Sequence, residues 1–355
     1  MITTLAMLVT LSLGAQAPRI LSVAPTSGPI TGSTQVHVEV SEPEALCLLP
    51  VTPMVGFGDS EVVAEFVSER ILEATTPPHS AGVVDLTAIY CGVPKLVARN
   101  AFTFFDPATD PDPADFEKVL LPVFFFGQGM HQSEWVTEAT VYNEGPEAVE
   151  FANPIFEGDP TCPALCGCSA RSEIQAGERN RICSQFAQSW GLILWAPESG
   201  ADQLHYSLRV RDLSRQATSA GTEIPVIHEQ ELRSGTIVLL DVPADSRFRS
   251  TLRLFDVQGR DGMQVRMRIH ADDEEEPRVD TILTLRQSVV NIMPDPFPTS
   301  PSYGYVGDLT ATFPVLAGAA MFRVDLEPLE PLERFWAFVS ITNNDTQQIT
   351  VVTPQ

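Results

Sequence analysis

Short stretches of alternating apolar and polar residues, separated by proline and glycine, recur along this chain and restrict it to β-structure. In one of them Val36, Val38 and Val40 alternate with polar residues, so one face of a strand can pack inward while the other meets water. The chain contains 29 prolines and 22 glycines, which punctuate these runs, and no helical periodicity is sustained. We therefore predict an all-β fold in which helices are scarce.

The first 17 residues have the composition of a signal peptide. They carry no charged side chain, and their apolar run from Leu5 to Leu13 is too short to cross a bilayer as a helix. We expect residues 1–17 to be removed on export, which makes the protein secreted or cell-surface. Later apolar runs do not approach about 18 residues, so no membrane insertion is expected after signal removal.

The acidic balance of the chain excludes two classes of partner. The formal net charge is −24 at pH 7. Proteins that bind nucleic acid or anionic lipid need a basic surface to neutralise phosphate. We therefore predict no nucleic-acid partner and no binding to an anionic lipid surface.

Residues 18–105 form the most specific pattern in the chain. Pro25, Gly28, Pro29 and Gly32 mark turns ahead of the valine strand, and three further segments follow in register. These are Val55–Gly58, Ala74–Gly82 and Ala101–Phe104. The pattern resembles the IPT/TIG family, immunoglobulin-like domains found in cell-surface receptors, adhesins and some polysaccharide-acting enzymes. The resemblance implies a small β-sandwich.

Residues 106–115 have the composition of a linker. The segment contains four aspartates and three prolines and no large apolar side chain. We predict a stiff, extended spacer. A calcium site on its carboxylates is disfavoured because an extended chain scatters them.

An internal echo divides the remainder of the chain. The alternating stretch from Ser133 to Asn143 aligns without a gap with the stretch from Ser246 to Asp256, and each half has a second apolar strand, at 206–210 and 335–341. Two related β-sandwich domains, residues 116–228 and 229–355, are the simplest interpretation. One large sandwich is the alternative.

The second copy of the echoed strand differs from the first on one face. Trp135, Ala139 and Val141 in one copy, like Phe248, Leu252 and Leu254 in the other, are expected to face a sandwich interior. The opposite face of the second copy carries three arginines, Arg247, Arg249 and Arg253. We expect that face to be exposed and its arginines to pair with the chain's own carboxylates.

Residues 116–355 also resemble a poorly characterised region of bacterial exported proteins. The matching segments include Trp135-x-Thr137-Glu138 and the stretch from Trp336 to Ser340. This resemblance implies a location and a fold but no reaction.

Six cysteines are expected to form disulfides in an oxidising compartment. Cys47 and Cys91 make an even pair within the N-terminal module. Cys162, Cys166, Cys168 and Cys183 lack the paired spacing of a typical zinc site, which favours disulfides over zinc. A bridge between Cys166 and Cys168 is disfavoured by geometry, which leaves 162–166 with 168–183, or 162–168 with 166–183.

The sequence contains no catalytic constellation that we can identify. Gly-x-Ser-x-Gly is absent, the six histidines are scattered singly, and the acidic run 272–276 is expected to be solvated at a hairpin tip. We predict no catalytic residues, no cofactor and no metal site. Tyr303 and Tyr305, in a stretch rich in proline and glycine, are the candidate ligand contacts.

These patterns together predict an exported, modular, non-enzymatic protein that acts in binding, adhesion or structural display. Its partner would be an extracellular protein or glycan. The alternatives are a glycan-binding accessory protein, which exposed Tyr or Trp in a row would favour, and a secreted hydrolase whose catalytic triad is assembled only in the fold.

Overall fold

The structure is a computed structural model that describes residues 18–41, 52–90, 95–129, 132–153, 172–182, 191–216, 218–259, 262–272, 274–287, 296–330 and 333–354. Strands account for 55% of it and helices for 7%, so the predicted all-β fold class is confirmed. None of the described helices is long and apolar enough to span a membrane.

The N-terminal module contains eight strands. They are β1 (Ile20–Ala24), β2 (Ser27–Pro29), β3 (Gln35–Val40), β4 (Met54–Phe57), β5 (Ser60–Ser68), β6 (Ile71–Thr75), β7 (Gly82–Ile89) and β8 (Leu96–Phe105). The strand order is β1-β3-β6-β5-β4-β7-β8-β2. Strand β5 pairs first with β4 and then with β6, so it connects the two sheets of a sandwich.

The valines of β3 confirm the predicted inward face, because Val36, Val38 and Val40 are all fully buried. They pack in one core with Phe57 and Phe102, whose rings meet edge to face at 5.2 Å. The module therefore has its own hydrophobic core.

The segment 106–115 is not the extended spacer that its composition predicts. Asp110 N donates to the Asp106 carbonyl at 2.8 Å, which closes a turn. Asp112 accepts hydrogen bonds from Ser27 Oγ at 2.6 Å and from Ala114 N at 2.9 Å, and it caps a short 3-10 helix at Pro113–Asp115. Aspartate side chains that satisfy local backbone donors favour turns over extended chain.

Ten strands follow this segment. They are β9 (Phe116–Leu121), β10 (Phe126–Gln128), β11 (Glu134–Asn143), β12 (Val149–Glu150), β13 (Glu173–Ile174), β14 (Arg179–Arg181), β15 (Leu192–Pro197), β16 (Leu204–Asp212), β17 (Thr222–Glu223) and β18 (Ile227–His228). Sheet S1 has the order β10-β11-β16-β17, with β14 also pairing with β11, and sheet S2 has the order β15-β9-β18. A 3-10 helix at Ala201–Gln203 precedes β16, and helix α1 (Leu213–Gln216) follows it. Strands β12 and β13 form a separate pair.

The C-terminal strands form two further sheets. The strands are β19 (Ile237–Pro243), β20 (Phe248–Asp256), β21 (Gln264–Ala271), β22 (Val279–Thr284), β23 (Arg286–Gln287), β24 (Ser302–Val306), β25 (Met321–Pro328), β26 (Trp336–Asn343) and β27 (Ile349–Val352). Sheet S3 has the order β23-β24-β20-β26-β27, and sheet S4 has the order β19-β25-β21-β22. Helix α2 (Leu309–Thr312) and 3-10 helices at Glu229–Glu231 and Pro314–Leu316 complete the described elements.

The four sheets S1 to S4 are stacked as four layers. One core lies between S1 and S2, with Val141 and Val119 among its residues, and another lies between S3 and S4, with Leu254 and Val265 among its residues. A third core joins S2 to S3 and includes Trp195, Phe255 and Phe338. The inner sheets S2 and S3 are therefore apolar on both faces where they meet, which explains the near-continuous apolar sequences of β15 and β26.

The two copies of the sequence echo have the same strand pairing. Trp135 lies opposite Asp212 in the pair β11·β16, and its counterpart Phe248 lies opposite Asn343 in the pair β20·β26. Strands β9·β15 and β19·β25 are likewise antiparallel partners in the second sheet of each sandwich. The residues expected to face inward do so: Ala139 and Val141 lie in one core, and Leu252 and Leu254 in the other.

The strands of both copies end in the same type of turn, in which a side-chain oxygen accepts from the backbone N–H two residues later. Asn143 accepts from Gly145 and Asp256 from Gln258, each at 2.9 Å. Asp212 accepts from Ser214 at 3.0 Å, and Asn343 accepts from Asp345 at 2.9 Å. Such Asx turns end a strand without leaving its last backbone donors unsatisfied.

Of the three arginines on the outward face of β20, Arg247 is exposed as expected, but Arg249 and Arg253 are half-buried. The guanidinium of Arg253 lies 5.4 Å from the Tyr305 ring centroid, and desolvation lowers its pKa. Arg249 donates to the amide oxygen of Asn344 at 2.9 Å, and Arg247 pairs with the carboxylate of Asp245 at 2.7 Å. The difference arises because sheet S2 covers much of this face.

Several sequence predictions concern segments outside the described residues. Cys47, Cys91, Cys162, Cys166, Cys168 and Cys183 all lie outside them, so their disulfides stay predictions. The described residues of the acidic run, Asp272 and 274–276, lie at the expected hairpin tip between β21 and β22, where Glu274 pairs with Arg278 at 2.6 Å and Asp272 accepts from Met321 N at 3.1 Å.

Candidate functional site

A cleft of about 880 Å³ lies where the N-terminal module, the segment after it and the stacked sheets meet. Strand β8 borders it on the module side, Phe116 and Lys118 of β9 line its base, and Leu329 lies after β25 on the far side. Clefts of several hundred cubic ångströms between domains are common ligand sites.

A bulge in β8 connects the module to the stack. Ala98 pairs with Leu86 and Phe102 pairs with Val84, so β8 has two more residues than β7 between these pairs. Asn100 in the bulge has a φ of 47°, in the left-handed region that asparagine tolerates better than most residues. Its side-chain nitrogen donates to the carbonyls of Gln258 and Gly259, each at 3.2 Å. These two bonds join the bulge of β8 to the turn after β20.

The turn that Asn100 contacts also carries part of the base of the cleft. Gln258 accepts from Lys118 Nζ at 2.7 Å and donates to Glu229 Oε1 at 2.9 Å. The Asx turn of Asp256 fixes the backbone of Gln258, so the residue is positioned before any ligand binds. The network joins three elements: Lys118 lies on β9, Glu229 in the 3-10 helix at Glu229–Glu231, and Gln258 in the turn after β20.

Lys118 lies over the indole of Trp195. Its ammonium is 4.8 Å from the ring centroid and 3.8 Å from Glu229 Oε1, and its side chain is only 12% exposed. Trp195 is 4% exposed and donates its ring N–H to the Pro298 carbonyl at 2.9 Å. The cation–π contact and the ion pair hold the ammonium at the base of the cleft.

The cleft concentrates positive charge in a strongly acidic protein. Its lining includes the chain's two lysines, Lys95 and Lys118. The lining has five cationic and four anionic side chains, against a net charge of −24 for the whole chain. The cations are Arg19, Lys95, Arg99, Lys118 and Arg334, and the anions are Glu198, Glu229, Glu330 and Glu333.

Apolar side chains complete the lining. Val97 is 54% exposed and Leu329 is 41% exposed, and both line the cleft. A ligand that covered them would remove apolar surface from water. Chemically, the arrangement suits a ligand that is anionic and partly apolar.

The two predicted ligand contacts lie elsewhere. Tyr303 and Tyr305 are on β24 in sheet S3, where they pair with Phe255 and Arg253. Tyr305 is 48% exposed, Tyr303 is half-buried, and neither lines the cleft. Sequence reasoning missed the cleft, and the only available signal was that the chain contains just two lysines.

The described histidines contact carboxylates. His37 bonds to Glu73 at 2.9 Å, His228 bonds to Glu117 at 3.0 Å, and His205 bonds to Glu144. Across the described ranges no group of three or more His, Cys, Asp or Glu side chains is placed to hold a metal ion.

Comparison with known proteins identifies the first module. Residues 18–104 match the IPT/TIG domain family, which confirms the resemblance seen in the sequence. No curated protein matches the chain. Among solved structures, invasin, a bacterial integrin-binding protein, matches at 10% identity and a TM-score of 0.20, over 95% of this chain. The match spans 60% of the length of invasin.

Proposed function

We propose that this protein is exported and acts in binding, adhesion or structural display at the cell surface or outside the cell. The junction cleft would hold the ligand. One observation carries the proposal: a chain of net charge −24 places both of its lysines and three arginines around one cleft. The proposal assigns no reaction to the protein.

An extracellular protein is the ligand class that the cleft supports best. Sugar-binding sites use exposed aromatic rings as platforms, but Trp195 is 4% exposed and Lys118 covers its ring. Anionic side chains of a protein ligand would complement the cations, while its apolar side chains would cover Val97 and Leu329.

The experiment is capture of cell-envelope and extracellular proteins by the mature chain, residues 18–355. We expect the double variant Arg19→Gln/Lys95→Gln to lose most of the captured protein. The control Arg209→Gln/Arg266→Gln removes two exposed cations elsewhere and should capture as the wild type does. Equal capture by both variants, or none by the wild type, would contradict the proposal.

Glycan binding at Tyr303 and Tyr305 is the second candidate function. The two rings lie on one face of β24, and Tyr305 is exposed. The guanidinium of Arg253 already lies over the Tyr305 ring, which leaves less of it for a sugar. A glycan array compared between wild type and Tyr305→Ala tests this candidate: loss of a specific signal supports it, and no specific signal in the wild type rules it out.

A further inference from the structure

Strand β8 presents an open edge to the cleft. Strand β2 pairs with β8 only from Thr103 to Phe105, and on the other side β8 pairs with β7. Within the described part of the chain, no strand pairs with the β2-facing side of β8 between Leu96 and Ala101, although β1 lies nearby. An open edge offers unpaired backbone donors and acceptors to another chain.

The edge, and not a face, of this strand borders the cleft. Every residue from Lys95 to Ala101 lines it. Side chains alternate between the two faces of a strand, so a face would contribute only every second residue. Leu96 and Ala98 point into the core of the module, and Val97 points outward.

We propose that the cleft binds an acidic peptide segment in extended conformation, which adds to β8 as a strand along Lys95–Ala98. This inference rests on the proposed function and names the class of its partner. Main-chain hydrogen bonds to the β8 edge would give the peptide its direction and register, and side chains on one face would give specificity.

The outward residues beside this edge specify the side chains of the ligand. Lys95, Val97 and Arg99 follow at period two, so they share one face. Residues directly opposite each other on antiparallel strands are neighbours on the same face. A ligand with the pattern acidic-x-apolar-x-acidic therefore places one carboxylate beside Lys95, whose ammonium also pairs with Glu61 at 2.9 Å, another beside Arg99, and an apolar side chain beside Val97.

Two further residues favour an acidic peptide with an apolar side chain as the ligand. The guanidinium of Arg19 lines the cleft, and the ion pairs among the described residues do not include it. Leu329, on the other side of the cleft, is 41% exposed and can cover the apolar side chain of the ligand. The charge and apolar surface thus complement the same short peptide.

The test uses the full mature chain and a fluorescent seven-residue probe, Thr-Glu-Thr-Val-Thr-Glu-Thr, with blocked ends. Binding is measured by fluorescence anisotropy against a matched probe in which Lys replaces both Glu residues. We expect the acidic probe to bind, the basic probe to bind at least about tenfold more weakly, and Lys95→Gln and Arg19→Gln each to weaken the acidic probe several-fold.

Backbone methylation decides whether the peptide binds as a strand. Successive amides of a strand point to opposite edges, so methylating the odd-numbered or the even-numbered amides blocks one edge at a time. We expect one methylated probe to lose at least about tenfold in affinity and the other to bind as the parent does.

Two outcomes would overturn the inference. Equal affinity of both methylated probes would exclude strand addition but leave an acidic ligand and the proposed function standing. Failure of the acidic probe to bind would exclude this ligand class, and the envelope-capture experiment would then decide the proposed function independently.

Discussion

Individual polar residues make the connections that join the units of this protein. Asn100, in a left-handed backbone conformation, joins the N-terminal module to the turn after β20. Lys118 and Gln258 join that turn to β9. Period-two alternation predicts inward residues such as Val38 because it depends on local geometry. It could not predict Lys118 over Trp195, because those two residues are distant in sequence.

A polar cluster at the end of the S1–S2 core makes stability depend on pH. His228 bonds to Glu117 at 3.0 Å, and its ring lies 5.7 Å from that of Tyr206. The bond to Glu117 raises the pKa of His228 despite partial burial, and burial together with the Glu117 charge raises the pKa of Tyr206.

We expect the free energy of unfolding to fall as pH rises through the folded-state pKa of His228. A raised pKa means that the charged imidazole contributes its full stability below the unfolded value of about 6.5 and loses it above that range. The effect should be about 0.5–1 kcal/mol. Urea unfolding at a series of pH values measures it.

The variants His228→Gln and Glu117→Gln should both remove this part of the pH dependence. Both variants keep the other five histidines, so the pH dependence that these histidines contribute is the same in the variants and the wild type. Variants whose pH profiles follow that of the wild type would show that the pair does not contribute.

At the scale of strands, the same pairing arrangement occurs twice. The sequence echo aligned β11 with β20, and these strands have equivalent partners in equivalent register. The sequence predicted which face of each strand points into its own sandwich. It did not predict that sheet S2 covers the other face of β20, because that depends on how the two sandwiches are stacked. The apolar side chains of Phe255 and Trp336 on that face were the sequence signal for a second buried face.

The Asx turns that end the repeated strands should stabilise the fold. Asn343 Oδ1 accepts from Asp345 N at 2.9 Å and from Thr346 N at 3.0 Å. We expect Asn343→Ala to lower the free energy of unfolding by about 1–2 kcal/mol, because two backbone donors lose their acceptor. The control Asn343→Asp keeps the acceptor and should cost much less. Chemical denaturation compares them, and equal losses would contradict the assignment.

At the scale of the molecule, the third core couples the two sandwiches. Phe338 is fully buried in it, on the opposite side of S3 from the S3–S4 core. We expect Phe338→Ala to cost about 3–5 kcal/mol and to reduce amide protection in both sandwiches. Hydrogen exchange with mass spectrometry reports each segment separately.

The matched control is Phe57→Ala, which removes an equally buried ring from the core of the N-terminal module. Protection should then fall mainly within residues 18–105. If Phe338→Ala left peptides of residues 116–228 protected, the two sandwiches would be energetically independent.

The stacking of S1 to S4 makes the region after residue 116 short along the direction in which the sheets are stacked. Packed sheets lie about 10 Å apart, so four layers occupy only about 30 Å between the outermost sheets. Domains joined end to end by linkers would extend much farther and could separate one by one under tension. Here the two sandwiches lie face to face, so pulling them apart requires the apolar surfaces around Trp195 and Phe338 to separate together. The two sandwiches are therefore expected to resist a pulling force as one unit.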